Sequence, residues 1–470
     1  MRLAWAVAES LLILGLSLFP ANAARAARPN ILLLVSDDQR PDTIAALGNR
    51  QIETPHLDGL VRRGTTFTRA TCAHPLCHPS RAELITGCTG FRNGTFSELK
   101  LNPGVPLWPE TMRRAGYRTA YVGKWHTAGR PSKVGYEQCD GLYGSGGKGA
   151  GPYVDFRGRP ATGYTGWQFQ TDAGQRFPEK GIGLTPDISG EFADAAIRLI
   201  QQSDDRPFFI HVNFTAPHDP RLWPTGYERK YESAKLPLPA NFQPEHPFDH
   251  GNLRGRDEVL LPFPRTADDV RQELACYYAV ITHLDEQIGR IFQALDAAGQ
   301  SDSTIVIFTS DHGLALGSHG LIGKQNMYEH TINVPLVIAG PNIPAGEKLA
   351  AQCYLRDLFP TVCDLAGITT PEVDGRSLVP VIRGTQKEIH PFVVGYFQDS
   401  QRMIREGDWK LIWYPKVDRW QLFDIVSDPH ELNDQIAAPE QRDRIADLRQ
   451  KLGNWLKTHN DSMTLPTAPK

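Results

Sequence analysis

Apolar runs and helical patterns alternate along the first two thirds of the chain. Ile31–Val35 is an unbroken apolar run, and Thr304–Thr309 has the same character. Runs of this length between amphipathic helices are typical of strands that are buried on both faces of a parallel sheet. Three further strands are predicted on the same ground: Thr119–Val122, Phe208–Phe214 and Leu336–Ala339. The pattern therefore predicts an α/β fold with a mostly parallel sheet sandwiched by helices.

Three segments carry the signals of helices. Ser189–Gln202 and Asp268–Ala298 have apolar residues at helical spacing. Thr54 and Pro55 supply an N-cap and a first-turn proline, and they predict a helix that continues through Val61.

Two stretches interrupt this alternation. Gly141–Gly174 is rich in glycine, tyrosine and arginine, and Pro220–Pro264 is rich in proline and charge. Both are too long for plain connectors, so we expect functional surface loops. For the glycine-rich stretch, a disordered insertion is the alternative.

The pattern changes past residue 380. Four short apolar segments joined by tight turns precede one amphipathic helix, Glu440–Leu456. The four predicted strands are Phe392–Phe397, Gln401–Ile404, Lys410–Tyr414 and Gln421–Asp424. This composition predicts a smaller C-terminal α+β subdomain over residues 381–470, with an antiparallel sheet plus a helix, after a main domain over residues 24–380.

The N-terminus has the pattern of a cleavable secretory signal over residues 1–23. Arg2 precedes the apolar run Leu11–Phe19, and Ala21-Asn22-Ala23 forms an A-x-A cleavage site. The sequence thus predicts an exported protein, periplasmic or secreted; an N-terminal anchor or a buried helix is the alternative. No later segment has 18 unbroken apolar residues, so stable membrane insertion is not expected.

Charge and cysteine content narrow the function further. The 470 residues carry a formal net charge of -3, which excludes the broad basic field expected of a nucleic-acid-binding protein. An anionic ligand would have to be held by a few local cations. The seven cysteines are scattered without zinc-site spacing, and their odd number indicates at least one unpaired thiol.

Polar side chains follow four of the predicted strands, at the point where each strand ends. In an open α/β sheet, ligands bind beyond the carboxyl ends of the strands. The residues at these ends are Asp37 and Asp38, Lys124 and His126, His218, and Asp311 with His312. Four such strand ends together predict one functional site.

The adjacent carboxylates of Asp37 and Asp38 repel each other unless a cation lies between them. Asp311 would join them from another strand. Three carboxylates suit a hard divalent ion, calcium or magnesium. The alternative is that these aspartates cap the helices that follow.

A cysteine begins the segment Cys77-His78-Pro79-Ser80-Arg81. Proline suits the first turn of a helix, so Cys77 is predicted at the helix N-terminus, where the helix dipole lowers a thiol pKa. Arg81 would lie one turn further on the same face. The segment therefore predicts a reactive cysteine in an anion-binding corner, with a structural disulfide as the alternative.

These residues carry a family pattern. Cys77-x-Pro79-Ser80-Arg81, followed by Leu84, Thr86 and Gly87, resembles the signature of the sulfatases. The resemblance covers most of the chain, in the family's order, through Asn30–Asp38, Gly123–His126, Ala216–His218, Ser310–Gly313, Lys324, Trp409–Leu411 and Leu422–Asp424.

The resemblance implies an alkaline-phosphatase-like fold with one divalent cation, usually calcium. It also implies that a formylglycine-generating maturation enzyme converts Cys77 to formylglycine, an aldehyde whose hydrate is the nucleophile. Asp37, Asp38, Asp311, His312 and the modified Cys77 resemble the metal ligands. Arg81 resembles the residue that steadies the hydrate, Lys124 and Lys324 the cations on the sulfate oxygens, His126 the partner of the hydrate, and His218 the donor to the leaving alcohol. Many sulfatases have Asn in place of His312, so this residue could instead only hydrogen-bond a ligand.

The function implied is hydrolysis of an organic sulfate ester, with a sulfated carbohydrate as the first choice. Arg221 and Trp223 are rim candidates for binding it. One rival is a phosphatase or phosphonate monoester hydrolase of the same superfamily, which commonly has Ser or Thr as nucleophile. The other is a non-catalytic binding protein that kept the fold.

Overall fold

The computed structural model describes residues 28–146 and 153–466, so the predicted secretory signal lies outside the described residues. The strands are β1 Asn30–Ser36, β2 Gly64–Phe67, β3 Ala70–Thr71, β4 Arg118–Lys124, β5 Gln138–Gly144, β6 Gln168–Phe169, β7 Phe208–Asn213, β8 Thr304–Ser310, β9 Asn333–Val334, β10 Leu336–Ala339, β11 Glu347–Leu349, β12 Cys353–Tyr354, β13 Phe392–Phe397, β14 Gln401–Glu406, β15 Trp409–Tyr414 and β16 Arg419–Asp424. The α-helices are α1 Pro55–Arg63, α2 Cys77–Thr86, α3 Gly90–Asn93, α4 Trp108–Arg114, α5 Ile188–Ile200, α6 Ala267–Ala297, α7 Glu329–Ile332, α8 Leu358–Leu365, α9 Val379–Ile382 and α10 Arg442–Thr458.

A nine-stranded sheet in the order β11-β2-β10-β8-β1-β7-β4-β5-β6 forms the centre of the fold. The five consecutive strands β8, β1, β7, β4 and β5 are parallel. Strand β10 runs antiparallel to β8 on one side and to β2 on the other. The predicted α/β fold with a mostly parallel central sheet is therefore confirmed.

The buried run of β1 explains why the apolar pattern predicted these strands well. Ile31, Leu33 and Val35 contribute to the core on one face of the sheet. Leu32 and Leu34 contribute to the core on the opposite face, which helices α5 and α6 cover. Because both faces are covered, every position along the strand must be apolar.

The glycine-rich stretch holds more regular structure than the loop we predicted. Strand β5 overlaps its start and pairs in parallel with β4, and β6 pairs antiparallel with β5. The sequence Gln138–Gly144 contains Asp, two glycines and no apolar run, so apolar patterning gave no signal for this strand.

The C-terminal part matches its prediction of an antiparallel sheet with one helix. Strands β13 to β16 form a four-stranded antiparallel meander. Leu448, Leu452 and Trp455 of α10 pack in one core with Val394 and Leu411 of the sheet. All seven cysteines lie within the described residues, and each is unpaired. Within the same residues, no helix is at once long and apolar enough to cross a membrane.

Candidate active site

The carboxyl ends of four central strands meet at one edge of the sheet, as predicted. Asp37 and Asp38 follow β1, and Lys124 is the last residue of β4. Asp311 follows β8, and His218 comes five residues after β7. Parallel strands deliver these side chains to the same edge.

Cys77 is the first residue of α2, and it faces this edge. All ten residues of the helix are buried. The Cys77 Sγ lies 3.4 Å from Asp37 Oδ1, 3.3 Å from His312 Nε2 and 3.6 Å from Lys324 Nζ. Burial alone would raise the pKa of the thiol, but the charges of Lys124, Lys324 and His312 outweigh burial and lower the pKa well below its usual range. The structure therefore places Cys77 at a helix start beside positive charge, as the motif predicts, and its reactivity stays a prediction.

The Ser80-Arg81 pair attaches α2 to the end of β8. The Ser80 hydroxyl donates to the backbone oxygen of Asp311 at 2.6 Å. Arg81 Nε and a terminal nitrogen lie 3.1 Å and 2.9 Å from Asp311 Oδ2. Arg81 also donates to the Asn213 side chain at the end of β7. This guanidinium, 3% exposed, thus holds two strand ends and the thiol-bearing helix together.

Each of the first two carboxylates contacts a lysine. Lys124 Nζ contacts Asp37 Oδ2, and Lys324 Nζ lies 2.9 Å and 3.1 Å from the two oxygens of Asp38. Asp38 has a φ of 68°, which places it in the left-handed region that Asp and Asn tolerate better than most residues. Both lysines are 1% exposed. The two predicted anion-binding cations therefore lie beside the carboxylates.

Of the three predicted histidines, His312 and His218 contact the carboxylates and lysines of the site. His312 Nδ1 lies 3.2 Å from Asp38 Oδ1. His218 Nε2 lies 2.8 Å from Lys324 Nζ, within hydrogen-bonding distance. His126 is half-buried, with its ring edge-on to Trp167 at 5.3 Å between centroids.

The electrostatics of the site show how closely its charges are packed. Burial raises the pKa of Asp311, and Asp37 adds to this rise against the opposing charge of Arg81, so the pKa reaches about 7. Burial lowers the pKa of His312, but the charges of Asp311, Cys77 and Asp38 raise it to about 9. Burial also lowers the pKa of His126, and the nearby Cys77 opposes this change.

The donor set fits a divalent cation. Two overlapping groups of residues have ligand atoms within 4.8 Å of one another: Asp37, Asp38, Cys77 and His218, and Asp37, Cys77, Asp311 and His312. Three of these residues are carboxylates that are at most 1% exposed, and oxygen donors suit calcium or magnesium. The cations of Arg81, Lys124 and Lys324 already balance the three carboxylates, so a divalent ion would leave the site positive and suited to an anionic substrate.

A glycine in the Gly123-Lys124 motif allows the strands to approach each other. Gly123 has a φ of 92°, and a Cβ at this position would collide with the carbonyl oxygen of Asn213 in the neighbouring strand. Only glycine adopts this conformation without strain, so the residue before Lys124 fixes how β4 ends.

Sequence reasoning missed two residues of the site and misplaced one at its rim. Tyr164 donates a 2.6 Å hydrogen bond to Asp37, and the Asp219 carboxylate lies 3.1 Å from His218 Nδ1. Asp219 follows His218 directly, so its adjacency was the available signal; Tyr164 offered none. Arg221, a proposed rim residue, is instead 4% exposed and paired with Glu273 of α6.

Solved structures resemble the whole chain. A phosphonate monoester hydrolase of Agrobacterium radiobacter has a TM-score of 0.73 and is 24% identical. The alignment covers 92% of this chain and 96% of the hydrolase chain. A protein in complex with its substrate D-glucosamine-2-N,6-O-disulfate has a TM-score of 0.72 and 24% identity, with 93% and 99% covered. The protein thus shares the alkaline-phosphatase-like fold of these structures.

Sequence comparisons identify the family within that class. The family described as "Sulfatase" matches residues 29–368, and "N-sulphoglucosamine sulphohydrolase, C-terminal" matches residues 317–458. The chain therefore belongs to the sulfatase family of sulfuric ester hydrolases. Choline-sulfatase of Rhizobium meliloti (strain 1021) is 31% identical over 441 residues, which are 88% of this chain and 83% of that protein. N-acetylglucosamine-6-O-sulfatase of Bacteroides thetaiotaomicron is 27% identical over 508 residues, with 93% and 87% covered.

Proposed function

We propose that this protein releases inorganic sulfate from a sulfated carbohydrate, with Cys77 acting as formylglycine. One observation carries the proposal: the Cys77 Sγ lies within 3.6 Å of a carboxylate, a histidine and a lysine at a buried helix start. A thiol has no second hydroxyl with which to expel sulfate, whereas an aldehyde hydrate has one. Conversion of the thiol carbon to an aldehyde is an oxidation, so a separate maturation enzyme and an oxidant are required.

The chain's own residues then divide the reaction between them. One hydroxyl of the hydrate, ionised with release of its proton to solvent, attacks sulfur. The bond between sulfur and the alcohol oxygen breaks, and His218 gives its proton to that oxygen. The second hydroxyl loses its proton towards His126, sulfate leaves, and the aldehyde returns. Lys124 and Lys324 stabilise the sulfuryl oxygens as they gain charge, and Arg81 steadies the hydrate.

A divalent cation is part of the proposal, with calcium as the first choice and magnesium as the second. Asp37, Asp38 and Asp311 would hold it together with the modified Cys77, and His312 would contact it or hydrogen-bond one of its ligands. When bound, it would supply Lewis-acid polarisation of the nucleophile and of the sulfate oxygens. Its charge would also lower the raised pKa of His312 again.

The carbohydrate assignment is supported mainly by relatives, and secondarily by an aromatic groove whose lining residues are distinct from those of the candidate active site. Phe156 and Trp223 meet edge-on at 5.4 Å and, with Tyr231, line a groove of about 690 Å³. Aromatic faces beside charged side chains suit a sugar ring, which is apolar on its faces and polar at its edge. The N-acetylglucosamine-6-O-sulfatase relative supports the same substrate class.

Export and domain division complete the proposal. We infer a secretory signal over residues 1–23, a catalytic domain over 24–380 and a C-terminal subdomain over 381–470. The A-x-A motif after an apolar run supports the first, and the separate antiparallel sheet supports the last.

The test compares sulfate with phosphate and phosphonate as the group removed from the same aryl alcohol, and it measures modification of Cys77 in the same preparation. The purified protein, expressed with a maturation system, is expected to cleave an aryl sulfate at a higher kcat/KM than the matching aryl phosphate or phosphonate. Its Cys77 peptide is expected about 18 Da below the mass of the thiol form. Chelation should abolish activity, and calcium or magnesium should restore it.

Each contrary outcome has a separate meaning. Faster cleavage of the phosphate or phosphonate would favour the rival hydrolase. An unmodified thiol without activity would favour a binding protein. Aryl sulfate cleavage without release of sulfate from any sulfated mono- or disaccharide would contradict the carbohydrate assignment alone.

A further inference from the structure

Tyr164 enters the candidate active site from the glycine-rich stretch between β5 and β6. It is 7% exposed, and its hydroxyl donates to Asp37 Oδ2 at 2.6 Å. Its ring lies edge-on to the His218 ring with 4.8 Å between centroids, and Lys124 Nζ lies 5.1 Å from the ring centroid. One side chain therefore touches three residues of the site.

The two oxygens of Asp37 have different surroundings. Oδ2 takes the Tyr164 hydroxyl and the Lys124 ammonium, whereas Oδ1 faces the Cys77 Sγ at 3.4 Å. The terminal torsion of an aspartate is broad, so a carboxylate held on one side by a single donor keeps freedom to turn. Two donors from different elements remove that freedom.

We propose that Tyr164 is a positioning residue that fixes Asp37 so that Oδ1 is presented to the cation and to residue 77. The proposal rests on the proposed function in one respect, namely that Asp37 is a metal ligand. Groups that orient a metal-binding carboxylate typically change metal affinity or activity by about 10- to 100-fold when removed. The hydroxyl of Tyr164 is such a group.

The neighbouring Tyr143 shows what a tyrosine without this role looks like. Its ring is fully buried 6.1 Å from the Tyr164 ring, and its hydroxyl has no hydrogen-bond partner among the described residues. Both tyrosines fill the same aromatic region, where they contact Trp167. Tyr143→Phe is therefore a matched control, since it removes the same atom from the same core without touching Asp37.

The experiment measures calcium binding to the full chain by the rise of the melting temperature with calcium concentration, together with kcat and KM on an aryl sulfate. For Tyr164→Phe we expect the half-saturating calcium concentration to rise about tenfold and kcat to fall about tenfold. For Tyr143→Phe we expect both to stay within about twofold of the unsubstituted protein, because no hydrogen bond is lost. A merely structural role would lower the melting temperature without moving the calcium constant.

Every outcome decides the proposal. Equal calcium constants in the two Phe variants and the unsubstituted protein would overturn it. Failure of Tyr164→Phe to fold would also overturn it, because a hydroxyl that acts on Asp37 alone is not needed for folding. If neither calcium nor magnesium stabilises the unsubstituted protein, the metal site of the proposed function and the role of Tyr164 towards the cation are both overturned. Calcium stabilisation without sulfate release would sink the proposed reaction and leave the Tyr164 test intact.

Discussion

Two of the buried charge clusters among the described residues differ in how their charges are arranged. At the interface with the C-terminal sheet, Arg405 makes two 2.9 Å contacts with Glu329, and Lys410 contacts Glu329 and Glu431. Arg405 also donates to Thr71 Oγ1 at 2.8 Å. In this interface cluster, cations and anions face each other and fix how the elements pack.

In the active-site cluster the number of lysines and arginines per carboxylate is the same. This cluster also contains a thiol and histidines, which the interface cluster lacks. A thiol and two histidines share the space with three carboxylates from two strand ends. The result is a lowered pKa for Cys77 beside a raised pKa for Asp311, after burial and neighbouring charge are weighed against each other. Opposed pKa shifts also occur in the interface cluster, where the pKa of Glu329 is lowered and that of Glu431 is raised. Neither buried charge nor opposed shifts alone mark a functional site; the active-site cluster is distinguished by its thiol and histidines.

The largest loss of activity should follow from removing the Cys77 thiol, a group that the active-site cluster has and the interface cluster lacks. For Cys77→Ala we expect kcat/KM on an aryl sulfate to fall by about 10⁴-fold or more, because the nucleophile is removed. Cys139→Ala, at a half-buried cysteine of β5, is the control and should keep its activity. Substantial residual activity in Cys77→Ala would break the distinction between the clusters.

The next largest effect should come from a carboxylate. Asp38→Asn keeps the left-handed backbone conformation but removes a charge. We expect kcat/KM to fall at least about 100-fold, since even groups that only support a metal ligand reach this size. Titration of activity with calcium measures the change. An unaltered calcium requirement would show that Asp38 does not bind the metal.

The smallest effect on catalysis should come from the interface cluster. Glu329→Gln leaves Arg405 and Lys410 without a full counter-charge, so we expect the free energy of unfolding to fall by about 3–5 kcal/mol. Urea unfolding measures this change, and kcat per folded molecule should stay the same. Glu98→Gln, in an exposed ion pair with Lys100, should change stability by about 1 kcal/mol at most. A large loss of kcat in Glu329→Gln would show that the interface cluster also contributes to catalysis.

The strands could be predicted from sequence where both of their faces are buried, because such strands carry a continuous apolar run. Leu336–Ala339 was predicted to its residues, and the strands before Asp37, Lys124 and Asp311 to within two residues, because apolar runs record burial on both faces. Strand β5 was missed, because its position depends on pairing with β4 and not on its own apolar side chains.

The site was predictable where its residues share a strand end or a helix start. The structure brings together Asp37, Asp38, Cys77, Asp311 and His312 as the motifs predicted. Tyr164 and the Arg221–Glu273 pair were not predictable, because each depends on a contact across more than 50 residues of chain. Such contacts are set by how loops fold over the sheet, and no local pattern encodes them.

The complete burial of helix α2 bears on when residue 77 can be modified after synthesis. Residue 77 is 2% exposed, and the nine residues that follow it are buried as well. If Cys77 is converted to formylglycine as proposed, the modifying enzyme would have to reach this segment before the helix docks onto the sheet. Modification of the ribosome-bound or newly released chain would then compete with its folding. Each molecule that folded first would stay inactive.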